Sequence, residues 1–532
     1  MPTITTYFSF TYIELLLLTI ACYSCCKQKA RRWVLLAFSY LFFFAVSGRL
    51  LCYLIFSTLS IHHFGLWLSV VQSEGSRQLK EVERSQKKAL SAKIRKKQTL
   101  IMALAVFVHI GILAVLKYSP FAITNINTVL RLLHLSYTVK IPEYLVPIGI
   151  SFYTLQAVSY LFDVYRKTIP ADRNLLRLAL FMSFFPQIME GPICRYTDTA
   201  ASLWKADRIS YSDLIAGSQR IMFGIMKKLI VADRLNLFIE DVFLNYENYD
   251  GFVIAIAVVG YTLQLYMDFS GTMDLALGTA QIFGVKLPEN FRRPFFSKTI
   301  SEFWQRWHIT LGSWLKDYIF YPVSMSKPVT NLAMRARKKY GNHAGSLVAG
   351  SIALFCVWIA NGIWHGAGWN YIFFGMYHFV FILCGNIAQP TVIKVTQNLH
   401  IDRKSLPYRI VQIIRTDILV CIREHFFRAH GLRAGLGMFR TMFTDFTLAS
   451  LRDGSLFTFG MDQKDFVILG AFAVFLLVIG ILQENGVVIR DVINSRNVLL
   501  RFAVYYTVIM IIVIFGAYGI GYIPVNPIYA NF

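Results

Sequence analysis

His365 is the residue of this sequence best placed for chemistry, because it follows an uncharged run long enough to enter a membrane. The run covers 347–364, eighteen residues without a charged side chain, and about 20 residues cross the hydrocarbon of a bilayer. An ionisable side chain at that depth is costly and is by default a functional-site hypothesis. A neutral imidazole there could take a proton from a hydroxyl group as the hydroxyl attacks an acyl carbon. His365 is therefore a candidate general base.

The neighbours of His365 leave a structural alternative open. A Gly-Ala-Gly step, 366–368, follows the histidine and would let backbone or a ligand approach closely. If the helix continues to His365, Asn361 lies one turn back and could fix the tautomer of the imidazole. Local features alone do not separate a catalytic histidine from one that is satisfied at a capped helix end.

A second histidine, His308, lies in a block rich in aromatic and basic residues. Thr299 and Glu302 have the spacing of a capping box, so we expect a helix to start at Thr299. Glu302 and Arg306 are four residues apart and can pair. The residues that recur at helical spacing, and would share one face, are Trp304, Trp307, His308, Leu311 and Leu315. On these features alone, His308 is more often structural than catalytic.

Composition identifies an integral membrane protein. Of 532 residues, 56% are hydrophobic and 16% are charged, whereas soluble domains carry about 25% charged residues. The net charge of +23 could suit a nucleic-acid-binding protein. The basic residues lie in blocks between apolar segments, however, as in cytoplasmic loops under the positive-inside rule. We therefore exclude nucleic acid as a partner and expect contact with the lipid bilayer.

Other chemistries have little support in the sequence. The eight cysteines do not form a disulfide framework, and Glu424, His425 and His430 lack a convincing metal-ligand spacing. Phosphate-binding, dinucleotide-binding, zinc-protease and serine-hydrolase motifs are absent. We expect no metal and no bound cofactor. The residues by themselves indicate no more than a general base within a membrane, with a second histidine and cytoplasmic cations.

The elements that must position these residues form an all-α, polytopic transmembrane bundle of about 11 spans, give or take two. The predicted spans are 8–26, 33–47, 50–71, 100–116, 144–162, 253–267, 347–364, 371–384, 466–482 and 499–522. The segment 178–194 carries Pro186, Glu190, Gly191 and Pro192, which favours a re-entrant or broken helix. Interfacial helices are expected at 214–233 and 403–440.

Charge placement predicts orientation. Positive charges follow the first span, so its N-terminus should lie outside, and the basic stretch 77–97 should form a cytoplasmic helical loop. We expect a single membrane domain over 1–532. Its parts are N-terminal spans and the basic loop (1–97), a catalytic core (98–390), and basic interfacial helices with C-terminal spans (391–532).

Several motifs together resemble the membrane-bound O-acyltransferase family. The similarity is greatest to the bacterial branch that includes alginate O-acetyltransferases and teichoic-acid D-alanyl transferases. The matching segments are 146–166, 185–196, 266–271, 288–291, 303–308, 317–319 and 361–367, and the tail 527–532 is similar as well. Each motif alone is weak, but the set is highly specific and extends over most of the chain.

The resemblance implies a helical bundle around a central funnel or tunnel that joins a cytoplasmic donor to an extracytoplasmic acceptor. It implies that His365 is catalytic and that His308 lies on the cytoplasmic side of the same tunnel. The candidates for the tunnel or its donor side are Asp268, Asn290, Arg306, Trp307, Asn361, Trp364 and Glu190.

The resemblance also implies the substrates. A short acyl group, most simply acetyl, would pass from acetyl-coenzyme A or an acyl carrier protein to a hydroxyl of a cell-envelope polysaccharide. A secreted, periplasmic or membrane-anchored acyltransferase is an expected partner. The expected location is the plasma membrane of a bacterium.

Three alternatives stay open. Departures at Thr272-Met273, Val323 and Phe379 weaken an assignment to alginate, and D-alanyl transfer to teichoic acid is the runner-up. A proton-coupled transporter or flippase could use the same histidines as a relay, although no inverted repeat supports it. A scaffold that only docks envelope-assembly proteins is the third.

Overall fold

The computed structural model describes residues 6–518 and Val525, and the regular secondary structure in this part of the chain is helical. These residues form two compact units. The first contains 6–218 and 276–288, and the second contains 219–275 and 289–518 with Val525. Helices α9 (Tyr211–Met226) and α11 (Gly251–Ile282) contribute residues to both units.

The helices of the first unit are α1 (Phe10–Cys25), α2 (Gln28–Ser47), α3 (Leu51–Glu81), α4 (Lys87–Leu113), α5 (Ser119–Leu132), α6 (Ile150–Tyr165), α7 (Leu175–Ser183) and α8 (Tyr196–Lys205). The remaining helices of the second unit are α10 (Asp233–Leu244), α12 (Ile300–Arg306), α13 (Ile309–Leu315), α14 (Tyr321–Ser324), α15 (Lys327–Tyr340), α16 (Asn342–His365), α17 (Trp369–Asn398), α18 (Leu406–Arg428), α19 (Leu432–Thr444), α20 (Ala449–Arg452), α21 (Gln463–Glu484), α22 (Ile489–Asn494) and α23 (Val498–Phe515).

Seven helical segments within the described residues are long and apolar enough to cross a membrane. They are Gln28–Glu81, Lys87–Leu132, Gly251–Ile282, Asn342–His365, Trp369–Asn398, Gln463–Glu484 and Val498–Phe515. The first is 54 residues long, and Gly48 interrupts it with a φ of +54°. Helix α1 is apolar but shorter. These segments confirm the predicted polytopic helical fold, and the number of crossings stays a prediction.

Several predicted elements differ from the structure. The span at 144–162 begins only at Ile150, because Pro147 disfavours helical backbone before it. Helix α5 was not predicted and continues from α4 through a π-turn. The stretch 77–97 is divided between α3 and α4. The final span ends at Phe515, while 519–522 and the tail 527–532 lie outside the described residues.

The prediction of a broken helix at 178–194 is confirmed. Helix α7 ends at Ser183, and the irregular segment after it is buried in the first unit. The Tyr7 hydroxyl donates to the carbonyl of Phe185 at 3.3 Å and accepts from the amide of Met189 at 3.1 Å. Such bonds are needed because irregular backbone in a membrane protein must be satisfied by other protein groups. Glu190 is 1% exposed in this segment.

Candidate active site

The predicted helical pair around His365 is confirmed. Helix α16 runs without a break to His365, and α17 begins at Trp369. The two helices approach closely at glycines: a Cβ on Gly375 would lie 2.2 Å from the carbonyl oxygen of Trp358. A Cβ on Gly362 would lie 2.5 Å from the carbonyl oxygen of Tyr371. Small residues of this kind allow tight helix contacts in membrane proteins.

His365 is buried against aromatic rings. Its imidazole is 1% exposed, and its ring centroid lies 5.1 Å from that of Phe374 and 5.4 Å from that of Phe427. Asn361 lies one turn before His365 in α16, and its buried Oδ1 has no hydrogen-bond partner among the described residues. This oxygen therefore accepts no hydrogen from the imidazole, and a tautomer of His365 fixed by Asn361 stays a prediction.

The prediction of one continuous helix through His308 is wrong. Helix α12 ends at Arg306, and His308 has a φ of +45° before α13 begins. The physical reason is an antiparallel bridge between Phe291 and Trp307. It replaces helical hydrogen bonds with bonds from Arg292 N to the oxygen of Arg306, 2.8 Å, and from Ile309 N to the oxygen of Asn290, 3.0 Å.

Two local predictions for this block are confirmed. The hydroxyl of Thr299 accepts from the amide of Glu302 at 3.1 Å, so Thr299 caps α12 as expected. Arg306 Nη2 lies 2.8 Å from Glu302 Oε1 and 3.0 Å from Glu484 Oε1. The Arg306 guanidinium is thus held in a partly exposed carboxylate cluster.

Asn290 determines which nitrogen of the His308 imidazole carries the hydrogen. Asn290 Oδ1 accepts from the amide of Thr310 at 3.1 Å and from its hydroxyl at 3.0 Å. The same oxygen lies 3.2 Å from His308 Nδ1, so Nδ1 must carry the hydrogen and Nε2 the lone pair. His308 is fully buried, outside the seven long apolar segments, and burial lowers its pKa to about 3. His308 is therefore a neutral imidazole.

Trp364 contacts both of the predicted histidines, His308 and His365. Its indole centroid lies 5.6 Å from the His308 ring and 5.0 Å from the His365 ring. Trp307, which is 1% exposed, stacks on Phe303 at 5.4 Å. The structure thus brings His308, Trp364 and His365 together within the second unit, although 57 positions separate the two histidines.

Asp268 occupies a different setting from the one predicted. The sequence placed it at the end of a span, but α11 continues to Ile282 and Asp268 lies within the helix. Its carboxylate is 2.7 Å from the ammonium of Lys228, which is also 2.7 Å from Asp233. A buried charge of this kind needs such a counter-ion. Glu190, which the resemblance also made a candidate for the tunnel or its donor side, belongs to the first unit.

Sequence reasoning missed His378. This residue of α17 is fully buried, stacks on Trp358 at 4.7 Å and accepts a hydrogen bond from Trp304 Nε1 at 3.2 Å. The sequence does contain a signal for it, because His378 is an ionisable residue within the predicted apolar span 371–384. The criterion of an ionisable residue at membrane depth, used for His365, would have found it.

Sequence reasoning also missed the role of Arg423. Its guanidinium pairs with the adjacent Glu424, and both are buried. The rings within 6.0 Å of the guanidinium are those of Phe303, Trp304, Trp307 and Phe374. Cation–π contacts of this kind stabilise a desolvated cation. Within the described ranges, no cluster of three His, Cys, Asp or Glu side chains could hold a metal ion.

Comparison with known proteins identifies the family. The model of the membrane-bound O-acyltransferase family matches residues 2–335. The chain belongs to this family. Together with its seven long apolar segments, this membership makes it a multi-pass membrane protein.

Three relatives illustrate the range of the family. A probable alginate O-acetylase of Pseudomonas syringae pv. tomato is 33% identical over 360 residues, covering 67% of this chain and 63% of that protein. A peptidoglycan O-acetyltransferase of Helicobacter pylori is 28% identical, covering 64% of each chain. A teichoic acid D-alanyltransferase of Bacillus subtilis is 32% identical, covering 46% of this chain and 59% of the relative. The match to the alginate relative spans just under two thirds of its length.

Proposed function

We propose that this chain is an O-acyltransferase that moves a short acyl group, most simply acetyl, from a thioester to a hydroxyl of a cell-envelope polysaccharide. The observation that carries the proposal is that two buried histidines, His308 and His365, both contact the ring of Trp364. Two buried imidazoles in one aromatic setting suit proton transfer from a hydroxyl. The names of the relatives support both the reaction class and a polymeric acceptor.

In the proposed reaction, His365 is the general base. The acceptor oxygen bonds to the carbonyl carbon of the thioester while His365 takes the hydroxyl proton. The carbon–sulfur bond then breaks, and the proton passes from His365 to the departing thiolate. The products are an ester and a free thiol, so atoms and charge balance. His308 supports the side of the site that binds the acyl thioester. There its Nε2 lone pair can accept a hydrogen bond from the thioester molecule.

The donor, partners and location belong to the same proposal. Acetyl-coenzyme A and an acylated carrier protein are the two donor classes. Transfer would be direct or through a secreted acyltransferase partner. The protein would lie in a bacterial plasma membrane with its N-terminus outside, so that the basic blocks face the cytoplasm. The funnel joining the two sides stays part of the proposal.

The test is acyl transfer by the purified protein in proteoliposomes. Radiolabelled acetyl-coenzyme A, acetylated carrier protein and D-alanylated carrier protein are each offered with alginate, peptidoglycan or teichoic acid. We expect an acetyl donor to be used, with activity lost in His365→Gln and kept in the exposed-site control His343→Ala. Full activity of His365→Gln would sink the mechanism. If the protein used only the D-alanylated carrier protein, the proposed acyl group would be D-alanyl and not acetyl.

A further inference from the structure

The proposed reaction needs a hydrogen-bond donor that neither predicted histidine supplies. When the hydroxyl oxygen adds to the thioester carbon, negative charge develops on the carbonyl oxygen, and a donor fixed near that oxygen lowers the barrier. His365 is occupied with the hydroxyl proton, and the hydrogen of His308 is directed at Asn290 Oδ1. The need for such a donor rests on the proposed function.

The tautomer of His378 is set by Trp304. An indole N–H can only donate, and Trp304 Nε1 lies 3.2 Å from His378 Nδ1. Nδ1 therefore accepts and carries no hydrogen. The neutral imidazole must hold its single hydrogen on Nε2. His378 thus presents a hydrogen-bond donor from the nitrogen opposite Trp304.

That donor has no acceptor in the protein. His378 is fully buried, and Nε2 makes no hydrogen bond with any residue in the described part of the chain. The imidazole is instead surrounded by the rings of Trp358, Trp304, Phe374 and Tyr377. Leaving a buried donor unsatisfied is unfavourable, and such groups are rare in native proteins. A ligand acceptor would remove this cost.

His378 is close to the proposed base. The His365 and His378 rings both contact Phe374, at centroid distances of 5.1 and 5.3 Å. Two more buried polar atoms without hydrogen-bond partners, Trp358 Nε1 and Asn361 Oδ1, lie on α16. Trp358, Asn361 and His365 are spaced by three and four residues and so share one helix face. Three buried polar atoms without hydrogen-bond partners among the described residues, Trp358 Nε1, Asn361 Oδ1 and His378 Nε2, therefore lie on the packed helices α16 and α17.

We infer that His378 is a further catalytic residue, whose Nε2–H donates a hydrogen bond to the carbonyl oxygen of the acyl thioester. As the acceptor oxygen bonds to the carbonyl carbon, the electron pair of the C=O bond moves to that oxygen, and the hydroxyl proton moves to His365. When the intermediate collapses, the C=O bond re-forms and the carbon–sulfur bond breaks. The thiolate takes the proton from His365, and His378 keeps its own proton throughout.

The decisive experiment compares His378→Ala with His378→Gln, using the donor and acceptor pair that the parent protein uses in proteoliposomes. Removing one such donor typically lowers kcat about 100-fold or more, so we expect that fall in His378→Ala, with KM for the donor within about twofold. His378→Gln places an amide N–H near the same position and should recover at least about tenfold of the loss. His109→Ala removes another buried histidine, on α4, and should leave kcat unchanged.

Three results would overturn the inference while leaving the proposed function intact: kcat of His378→Ala within about threefold of the parent, a change in KM alone, or no recovery in His378→Gln. If His378→Ala does not fold, Trp304→Phe is the deciding variant. It removes the indole N–H, so the hydrogen of His378 is no longer held on Nε2 and kcat should fall. A kcat equal to that of the parent protein would contradict the inference. A parent without any acyl transfer would overturn the proposed function and the inference together.

Discussion

At the scale of single residues, the site depends on which nitrogen of each imidazole carries hydrogen. Asn290 fixes His308 with its hydrogen on Nδ1, and Trp304 fixes His378 with its hydrogen on Nε2. The two rings are therefore opposite in function, one presenting a lone pair and the other a hydrogen. The hydrogen bond made by one ring nitrogen often decides whether the other nitrogen of a histidine can donate or accept.

The low pKa of His308 predicts that acid destabilises the fold. Its pKa is about 3 in the folded protein, against an ordinary value of 6.5, so the unfolded chain binds a proton that the folded chain does not. Stability is full above about pH 6.5 and is lost as pH falls towards 3, by at most about 1.4 kcal/mol per pH unit from this group. Thermal unfolding in detergent should show a shallower fall between pH 6.5 and 4 for His308→Asn than for the parent. Equal slopes would contradict the prediction.

At the scale of elements, glycines set how closely α16 and α17 approach. Gly375 faces the backbone of Trp358, which cannot move aside as a flexible side chain could, so a Cβ at 2.2 Å forces the helices apart. This contact lies between the turns that carry His365 and His378. Helix spacing and the positions of both imidazoles are therefore linked.

We expect Gly375→Ala to lower both the thermal midpoint and kcat, because separation of α16 and α17 displaces the two histidines. The matched control is Gly385→Ala on the same helix, where a new Cβ meets nothing within 4 Å. That change should be neutral or stabilising by up to about 1 kcal/mol, since alanine favours helix over glycine. The measurement is unfolding in detergent combined with acyl transfer. Equal behaviour of the two variants would refute the role given to this contact.

At the scale of the whole molecule, hydropathy predicted the type of fold and the long apolar helices. The segments 347–364 and 466–482 fall within α16 and α21, because a membrane helix is defined by a local apolar run. The break at His308 could not be predicted, because it depends on pairing with Phe291, and helical periodicity carries no information about that partner. The ring contacts of Arg423 likewise depend on tertiary packing.

The predicted orientation can be tested by cysteine labelling in intact bacterial cells. Cys25 is exposed at the end of α1 beside basic residues, and Phe10 is exposed at the other end. In a background without other cysteines, Cys25 should react with a membrane-impermeant maleimide only after the cells are permeabilised. A Phe10→Cys variant with no other cysteine should react in intact cells. The reverse pattern would place the N-terminus inside.

The backbone of His308 limits how this position can vary under selection. With a φ of +45°, the residue occupies a region where glycine, asparagine and aspartate are tolerated best. None of these three side chains combines that backbone with a neutral nitrogen base. A saturation library selected for activity should therefore accept no replacement at 308, and one selected only for folding should be enriched in those three residues. Position 365, in regular helix, should instead accept many side chains in the folding selection and reveal its chemistry only in the activity selection.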